Sequence, residues 1–434
     1  MKKENKNKKE KVSFYTLGCR LNQAETAIIK RGFEADGYQI VNFNDPADLV
    51  VINTCTVTAN GDADTRRTVN KVNRINAEAK IALVGCQAQV QREKLLELPG
   101  VQWVVGNGVK MQLAKVLAEA GTDTPQVITP TIERKSFTIP IAGIDPGRTR
   151  ANLKIQDGCD FFCSFCEIPF ARGRARSREF DDIQKEAEQL VAAGYKELVL
   201  TGINIGTYSY EGESLANVLI SLLRFTNLKR IRISSIEPTT IAEDFIRVIN
   251  SNKKFCRYLH IPIQSGCDEI LQAMKRKYTV SEFVKFLSFA NDKIPDVCLG
   301  TDVIVGFPGE TDVHFDETYQ MLLESPFAYF HVFSYSDRDH TRSRKSINKV
   351  EKSVIHERSK RLRELSLRKR TSFFDRFIDR EMPVLFEQKK NGFWTGLTDN
   401  YIRVKTESDI NLENEIVQVR LEEIEQQAMI GTIA

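Results

Sequence analysis

The stretch KVSFYTLGCRLNQAETAIIKRGFEADG, residues 11–37, joins a β-rich apolar run to a segment whose apolar residues are spaced for one helix face. The same order returns at ADLVVINTC, residues 47–55, and at KIALVGC, residues 80–86, with helical segments between the runs. Strands that alternate with helices predict right-handed βαβ crossovers and a parallel sheet. The fold class predicted for this part of the chain is therefore an open parallel α/β sheet.

Each of these three runs ends in a cysteine. Because parallel strands point the same way, Cys19, Cys55 and Cys86 are expected at one carboxyl edge of the sheet, where open α/β sheets bind ligands. One such cysteine alone would be read as a small buried apolar residue. Three in succession predict a three-thiolate metal site assembled from distant parts of the chain.

Composition sets the broad class of protein. The 434 residues are 41% apolar, enough for two or three domains that each bury a core. Nine cysteines, an odd number, and a lysine-rich start without an apolar segment behind it favour a reducing, cytoplasmic location over a disulfide framework. No run of about 18 apolar residues occurs, so no membrane contact is expected. With 62 basic and 58 acidic residues, only the placement of basic clusters can indicate nucleic acid.

The remaining chain divides by pattern. We predict a basic tail at residues 1–11, an N-terminal domain at 12–120 and a proline-containing linker at 121–144. Residues 145–374 hold six more β-rich runs that alternate with helices, too few for a closed eight-stranded barrel and therefore predicted to form a partial, open (β/α)6 barrel. Residues 375–434 change to short alternating strands, which predict a small β-barrel. The fold class overall is multidomain α/β.

Three more cysteines lie close together in the loop CDFFCSFC, which follows the first strand of the predicted barrel. Cys159, Cys163 and Cys166 have C-x3-C-x2-C spacing, and no second pair follows that would complete a structural zinc site. A [4Fe–4S] cluster has four irons, so three cysteines leave one iron open to bind a substrate. The loop therefore favours an iron–sulfur cluster with an open coordination position.

At this point the chain resembles the radical S-adenosylmethionine (SAM) enzymes, whose signature has this spacing and an aromatic residue before the last cysteine, here Phe165. The resemblance implies that SAM binds the open iron and is split by one electron into methionine and a 5′-deoxyadenosyl radical. Over nearly the whole chain the resemblance narrows to the methylthiotransferases. The segments that carry it are TLGCRLNQAET, VINTCTVT, VGCQAQ, CEIPFARGRARSR, SSIEP, HIPIQSG and DVIVGFPGET.

Within that family, LGCRLNQAET and PFARGRARSR are most similar to the branch that modifies N6-threonylcarbamoyladenosine beside the tRNA anticodon. The branches that act on isopentenyladenosine in tRNA or on a ribosomal protein remain alternatives. The chain departs from the family at YSDRDHTRSRKS, near Tyr335, and at Glu167, where an aliphatic residue is common. The C-terminal residues resemble the TRAM domain, an RNA-binding barrel, which extends the tRNA interpretation.

The resemblance implies two [4Fe–4S] clusters and two SAM molecules as cofactors. The resemblance further implies that a radical made at the first cluster removes hydrogen from C2 of the adenine ring, and that sulfur held at the second cluster is methylated and then delivered as a methylthio group. The protein supplies alignment and excludes water. The implied ligands are Cys159, Cys163 and Cys166 for the first cluster and Cys19, Cys55 and Cys86 for the second.

Polar residues at the ends of the predicted barrel strands are candidates for holding SAM, together with Phe165. The alternative is that these residues only cap helices or bond turns. They are Gly202, Asn204, Ser235, Glu237 and Gln264.

Four arginines directly follow the cysteine loop, at positions 172, 174, 176 and 178. Guanidinium groups bind phosphate in bidentate geometry, so Arg172, Arg174, Arg176 and Arg178 are predicted to contact RNA, with a solvated basic face as the alternative. The partners expected are a tRNA anticodon stem-loop, an electron donor and a sulfur donor. A protein of another class, a non-catalytic iron–sulfur RNA-binding protein, would not need two open irons.

Overall fold

The computed structural model describes residues 9–241 and 243–434, so the first eight residues of the predicted basic tail lie outside the described residues. The last residue of that tail already begins the first strand. The N-terminal elements are β1 Lys11–Thr16, α1 Arg20–Ala35, β2 Gln39–Val41, β3 Leu49–Thr54, α2 Ala59–Ile75, β4 Lys80–Gly85, α3 Cys86–Gln91, α4 Glu93–Leu96, β5 Val101–Val105, a 3₁₀ turn Lys110–Gln112, α5 Leu113–Ala120 and β6 Gln126–Ile128.

The N-terminal strands form one six-stranded sheet in the order β2-β1-β3-β4-β5-β6, and every pairing is parallel. All six residues of β3 are buried, as expected of a central strand with helices on both faces. The predicted parallel α/β sheet is therefore confirmed. Three strands of the sheet were not predicted, namely β2, β5 and β6, and β6 lies inside the predicted linker and pairs with β5.

The central region contains the six β-rich runs that the sequence predicts as strands, with short hairpins between them. Its elements are β7 Arg150–Lys154, β8 Gln156–Asp157, α6 Ile168–Arg172, β9 Arg176–Ser177, α7 Phe180–Ala192, β10 Glu197–Thr201, a 3₁₀ turn Ile205–Thr207, β11 Ser209–Tyr210, β12 Glu213–Ser214, α8 Leu215–Leu222, β13 Arg230–Ile233, a 3₁₀ turn Pro238–Thr240, α9 Glu243–Ser251, β14 Tyr258–His260, α10 Asp268–Ala273, α11 Val280–Lys293, β15 Cys298–Val305, α12 Asp312–Glu324, β16 Tyr329–Ser334, a 3₁₀ turn Ser343–Lys345 and α13 Lys352–Asp375.

The main strands of this region run in chain order around an open barrel. Strands β7, β10 and β13 pair in parallel, as do β14, β15 and β16, and parallel bridges from Ile231 to Phe255 and from Ser235 to His260 join the two sets. A single large apolar core lies between the strands and the helices that cover them. The predicted partial barrel is therefore confirmed, and β16 is its last strand.

The C-terminal residues form a closed five-stranded barrel in the order β17-β18-β19-β21-β20. Two arginines of β13, Arg230 and Arg232, bond it to the central region. Arg230 donates to the carbonyl oxygens of Leu397 and Pro383 at 2.8 and 2.6 Å, and Arg232 donates to that of Asp399 at 3.0 Å. The strands are β17 Glu381–Lys390, β18 Phe393–Thr398, β19 Arg403–Glu407, β20 Ile416–Glu425 and β21 Ala428–Ile433.

Across the described residues, no helix combines the length and the apolar character that a bilayer crossing needs.

Candidate active site between two cysteine triads

The strand-end cysteines lie together, as the parallel sheet requires. Cys19 follows β1 and is the N-cap of α1, Cys55 follows β3, and Cys86 is the first residue of α3 directly after β4. Gly18 permits their approach because a Cβ there would come within 2.6 Å of the Cβ of Cys55. Burial raises the pKa of Cys55 to about 12, and neighbouring Cys86 and Cys19 contribute in the same direction. These three residues are called the sheet triad below.

The second group, the loop triad, comprises Cys159, Cys163 and Cys166. The loop leaves β8 through Gly158, which has φ +73° and packs so closely on the backbone of Arg174 that a Cβ would lie 2.0 Å from its oxygen. The amide of Cys166 donates to the carbonyl of Cys163 at 3.1 Å, which closes the turn. Burial raises the pKa of Cys159 to about 11 and also raises that of Cys166.

The donor sets of the two triads suit a cluster better than a single ion. Within the described residues, the only three ligand side chains whose donor atoms all lie within 4.8 Å of one another are His260, Asp302 and His331, so neither triad is that compact. A four-iron cluster holds its thiolates further apart than one ion does. Each triad also receives a guanidinium hydrogen bond, from Arg172 to Cys86 at 3.2 Å and from Arg276 to Cys163 at 3.3 Å.

A cavity of about 230 Å³, called the cavity between the triads below, is lined by Cys166 of the loop triad. No cysteine of the sheet triad lines it, but Thr56, the residue that directly follows Cys55, does. Apolar side chains supply much of the wall, and a few polar groups face inward, as is typical of a binding site for an organic ligand. The other lining residues are Val57, Thr58, Phe165, Glu167, Ile168, Gln264, Asp302, Ile304, Phe333, Ser334, Tyr335 and Ser336.

The predicted SAM residues divide by their place around this cavity. Phe165 and Gln264 line it. Glu237 forms an ion pair with Arg276, and another nitrogen of Arg276 donates to Cys163. Glu237 is therefore linked to the loop triad through Arg276. The remaining candidates support turns: the amide of Asn204 donates to Gln156 at 2.9 Å, Gly202 packs on Gln156, and Ser235 bridges to β14. Their roles toward SAM stay predictions.

The structure corrects the arginine prediction at Arg172. Its side chain is fully buried, and its nitrogens donate to Glu25 at 2.9 Å, to Asp157 at 3.0 Å and to Asn22 at 2.6 Å. Lys110 and Lys154 complete the network by pairing with Glu25 at 2.5 and 2.7 Å. These contacts leave Arg172 no access to a phosphate, and the residue instead joins the sheet triad to the loop that carries the other cysteines.

The prediction that Arg178 contacts RNA is corrected for the same reason, because its side chain is buried. It is 1% exposed, and it pairs with Asp182 at 2.6 Å and with Glu186. Arg176 is partly buried against Asp157 at 3.3 Å, and Arg174 is 51% exposed and lies 3.3 Å from Asp160. A role in RNA binding stays a prediction for Arg174 and Arg176 only.

The sequence analysis missed several residues of the site, including most of the apolar and polar side chains that line the cavity and the charged residues Arg276 and Glu25. Arg276, in the segment MKRKY, carried no signal beyond a basic residue near a turn. Glu25 carried a weak one, since it is a carboxylate on the buried face of α1 beside Ala24, Ile28 and Ile29. A buried charge in an apolar helix face requires a partner, which could have indicated the network with Arg172.

The class of protein follows from the fold and this site together with family comparison. Residues 153–322 match the Radical SAM superfamily, and residues 11–106 match the Uncharacterized protein family UPF0004. A partial barrel whose first strand leads into a three-cysteine loop belongs to that superfamily, so the chain is a radical SAM enzyme. Its cofactors accordingly include SAM and a [4Fe–4S] cluster.

Two curated relatives match nearly the full length of the chain. Threonylcarbamoyladenosine tRNA methylthiotransferase MtaB of Bacillus subtilis is 37% identical over 420 residues, covering 94% of this chain and 93% of that protein. tRNA-2-methylthio-N(6)-dimethylallyladenosine synthase of Fusobacterium nucleatum is 31% identical over 444 residues, covering 98% and 100%. The chain therefore belongs to the radical SAM methylthiotransferase family, as its sequence motifs led us to expect.

Solved structures share the fold at low identity. The radical SAM methyltransferase TsrM of Kitasatospora setae, with cobalamin and a [4Fe–4S] cluster bound, aligns with a TM-score of 0.59 at 15% identity, over 78% of this chain and 74% of that one. At this identity the similarity concerns the fold alone.

Proposed function

We propose that this enzyme adds a methylthio group to C2 of N6-threonylcarbamoyladenosine next to the anticodon of tRNA. The observation that carries the proposal is the cavity that Cys166 of the loop triad lines together with Thr56, the neighbour of Cys55 in the sheet triad, because a methylthio transfer needs both a radical source and a sulfur source near one substrate atom. The 37% identity to a threonylcarbamoyladenosine tRNA methylthiotransferase along 94% of the chain supports this substrate.

We assign the loop triad to the radical SAM cluster and the sheet triad to a second [4Fe–4S] cluster. When bound, the clusters supply the electron that splits SAM and the iron that carries the sulfur to be transferred. An electron donor and a sulfur donor must therefore serve the enzyme.

The side chains around the cavity position the reactants and exclude water. Phe165, Ile304 and Phe333 form apolar walls beside the loop triad, where a planar purine ring can pack. Gln264 and Asp302 present polar groups to the same space and are placed to orient the ligand. Arg276 holds Glu237 and Cys163 together, which maintains the shape of the cysteine loop.

Iron analysis tests the assignment of the two clusters. Anaerobically reconstituted protein is expected to hold about eight irons, and the Cys19→Ala/Cys55→Ala/Cys86→Ala variant about four, as two four-iron clusters require. Equal iron in both proteins would remove the second cluster from the proposal.

Nucleoside analysis tests the substrate. The reduced enzyme is incubated with SAM, a sulfur source and tRNA that carries either threonylcarbamoyladenosine or dimethylallyladenosine, and the digested tRNA is examined by mass spectrometry. We expect the methylthio product from the first tRNA. Product from the second tRNA alone would favour the activity named for the Fusobacterium nucleatum relative. SAM cleavage without product from either tRNA would favour a protein substrate, and no cleavage under strong reduction would indicate a non-catalytic RNA-binding protein.

A further inference from the structure

The exposed edge of the partial barrel carries a groove that leads away from the cavity between the triads. It lies between β16 and α13 and has a volume of about 390 Å³. Phe333 lines both this groove and the cavity, so the two adjoin. We call it the edge groove and define it by His331, Phe333, Arg363, Leu367, Arg370 and Gln427.

The edge groove continues to the C-terminal barrel. His331, Arg370 and Gln427 also line a further cavity of about 250 Å³, which reaches Tyr401 and Arg403. The edge groove therefore adjoins both the cavity at Cys166 and a cavity that reaches the C-terminal barrel.

Charge distinguishes the edge groove from the other surface cavities. No aspartate or glutamate is among the residues that line the groove or its continuation. Two other cavities that border the C-terminal barrel, in contrast, include Asp399 and Glu415 in one case and Glu387 and Glu413 in the other.

The arginines of α13 differ according to the face on which they lie. Arg358 pairs with Glu310 at 2.5 Å and Arg361 with Asp316 at 3.3 Å, so the charges on that face are neutralised. Arg363 and Arg370, seven residues apart and therefore on one face, pair with no carboxylate among the described residues. Arg370 instead donates to Gln427 at 2.6 Å and packs over the ring of Tyr329. Two unneutralised guanidinium groups thus face the groove.

Exposed apolar surface lies between these charges. Phe333 is 41% exposed and Leu367 49% exposed, although both are large apolar side chains. Aromatic and apolar platforms flanked by arginine are the features that hold unpaired nucleotides, because bases stack on the platform while guanidinium groups contact phosphates.

From these observations we propose that the edge groove binds the single-stranded RNA segment that flanks the modified adenosine. This inference rests on the tRNA substrate proposed above and adds the route that the strand takes. Arg363 and Arg370 contact phosphates, and Phe333 provides a stacking surface at the mouth of the cavity. The four arginines after the cysteine loop cannot all bind this RNA segment, because Arg172 and Arg178 are buried.

The test measures binding of an anticodon stem-loop RNA to the reconstituted full-length protein at several salt concentrations. For Arg363→Ala/Arg370→Ala we expect an affinity lower by about tenfold or more, and a slope of log affinity against log salt reduced by about 0.7 for each lost contact, as for single strands. Arg363→Lys/Arg370→Lys keeps both charges and should keep most of the salt dependence.

Arg361→Ala is the matched control, since Arg361 lies on the same helix but pairs with Asp316. It should bind RNA as the wild type does. Iron content and thermal unfolding midpoint check that each variant folds. If Arg363→Ala/Arg370→Ala and Arg361→Ala both bind the RNA with the affinity and salt slope of the wild type, the proposed role of the edge groove is overturned, while the proposed function stands. Wild-type protein that neither binds nor modifies tRNA would instead contradict the proposed function.

Discussion

Arg172 shows at the scale of one residue how this enzyme uses charge. Its guanidinium bonds Cys86 of the sheet triad, Glu25 of α1 and Asp157 beside the cysteine loop. Burial by itself would raise the pKa of Glu25, but Arg172, Lys110 and Lys154 outweigh that effect and hold the pKa well below its usual range. The network therefore stays ionised inside the protein and links the two cysteine sites.

Replacing Arg172 by alanine should destabilise the protein strongly. Removal of one partner leaves Glu25 and Asp157 short of a cation in a dry interior, which costs about 3–5 kcal/mol in comparable cases. We expect a lower thermal unfolding midpoint and weaker retention of iron. Arg174→Ala is the matched control, because this neighbour is 51% exposed and its loss should change stability by less than about 0.5 kcal/mol. Equal midpoints for the two variants would contradict the structural role.

The buried pair of Glu197 and Arg232 predicts acid sensitivity. Burial raises the pKa of Glu197, but Arg232 lies 2.6 Å away and outweighs it, lowering the pKa to about 2. In the unfolded chain the pKa of a glutamate is about 4.3, so the ionised pair stabilises the fold above that pH. This contribution is lost as the pH falls toward 2.

Glu197→Gln should therefore be less stable than the wild type at neutral pH, by up to about 3 kcal/mol, and the difference should shrink as the pH falls from about 4.5 toward 2. Chemical denaturation at a series of pH values measures it. Glu415→Gln, which removes an exposed partner of Lys196, should show no such trend. A constant difference at all pH values would disprove the role of ionisation.

At the scale of an element, residues 335–349 form a strap that crosses from β16 to the N-terminal domain. Arg338 pairs with Asp62 of α2 at 2.7 Å and donates to the carbonyl of Thr56, next to Cys55, at 3.3 Å. His340 pairs with Glu167, next to Cys166, at 2.8 Å. The two places that the sequence analysis singled out, the segment near Tyr335 and Glu167, therefore contact each other beside the cavity.

We expect the strap to couple the cleavage of SAM to the transfer of the methylthio group. In Arg338→Ala we expect reduced protein to keep cleaving SAM, whereas methylthio product per SAM cleaved falls by about tenfold or more, because small misplacements of reacting groups are costly. Parallel assays of methionine release and modified nucleoside measure this ratio. Arg344→Ala is the control, since Arg344 is about half exposed and pairs with Asp339 inside the strap. An unchanged ratio in Arg338→Ala would exclude the coupling role.

At the scale of the whole molecule, the C-terminal barrel closes one end of the partial barrel. Arg257 makes two bonds to the carboxylate of Asp399, at 2.6 and 3.0 Å, and Tyr401 packs against Tyr258 and Tyr329 inside the opening. The domain is thus part of the structural core of the enzyme as well as a candidate RNA contact.

Asp399→Ala should lower the thermal unfolding midpoint of the whole protein. The bond between Arg257 and Asp399 is partly buried and charged, and such bonds contribute about 1.5–3 kcal/mol. Glu425→Ala serves as the control, because its pair with Lys405 is more exposed. A C-terminal barrel that unfolds separately, with the main transition unchanged, would show that the two domains are independent.

The sequence by itself determined the parallel sheet, the six-stranded partial barrel, the C-terminal barrel and the cysteine spacing. These features depend on periodicity and on residues a few positions apart, which local backbone geometry and the burial of apolar faces impose. The grouping of the sheet triad also followed, because parallel strands end at one edge.

Only the tertiary structure decided which charges are buried. Arg172 meets Cys86 across 86 residues, and Arg338 meets Thr56 across 282 residues. Tertiary packing likewise decides which arginines of α13 meet carboxylates, because Glu310, Asp312 and Asp316 lie against one face of the helix, while Arg363 and Arg370 pair with none in the part of the chain that the structure describes. An arginine carries the same local signal whether it ends at a phosphate or at a buried carboxylate, and the difference in free energy comes from desolvation and from partners that the packing of domains supplies.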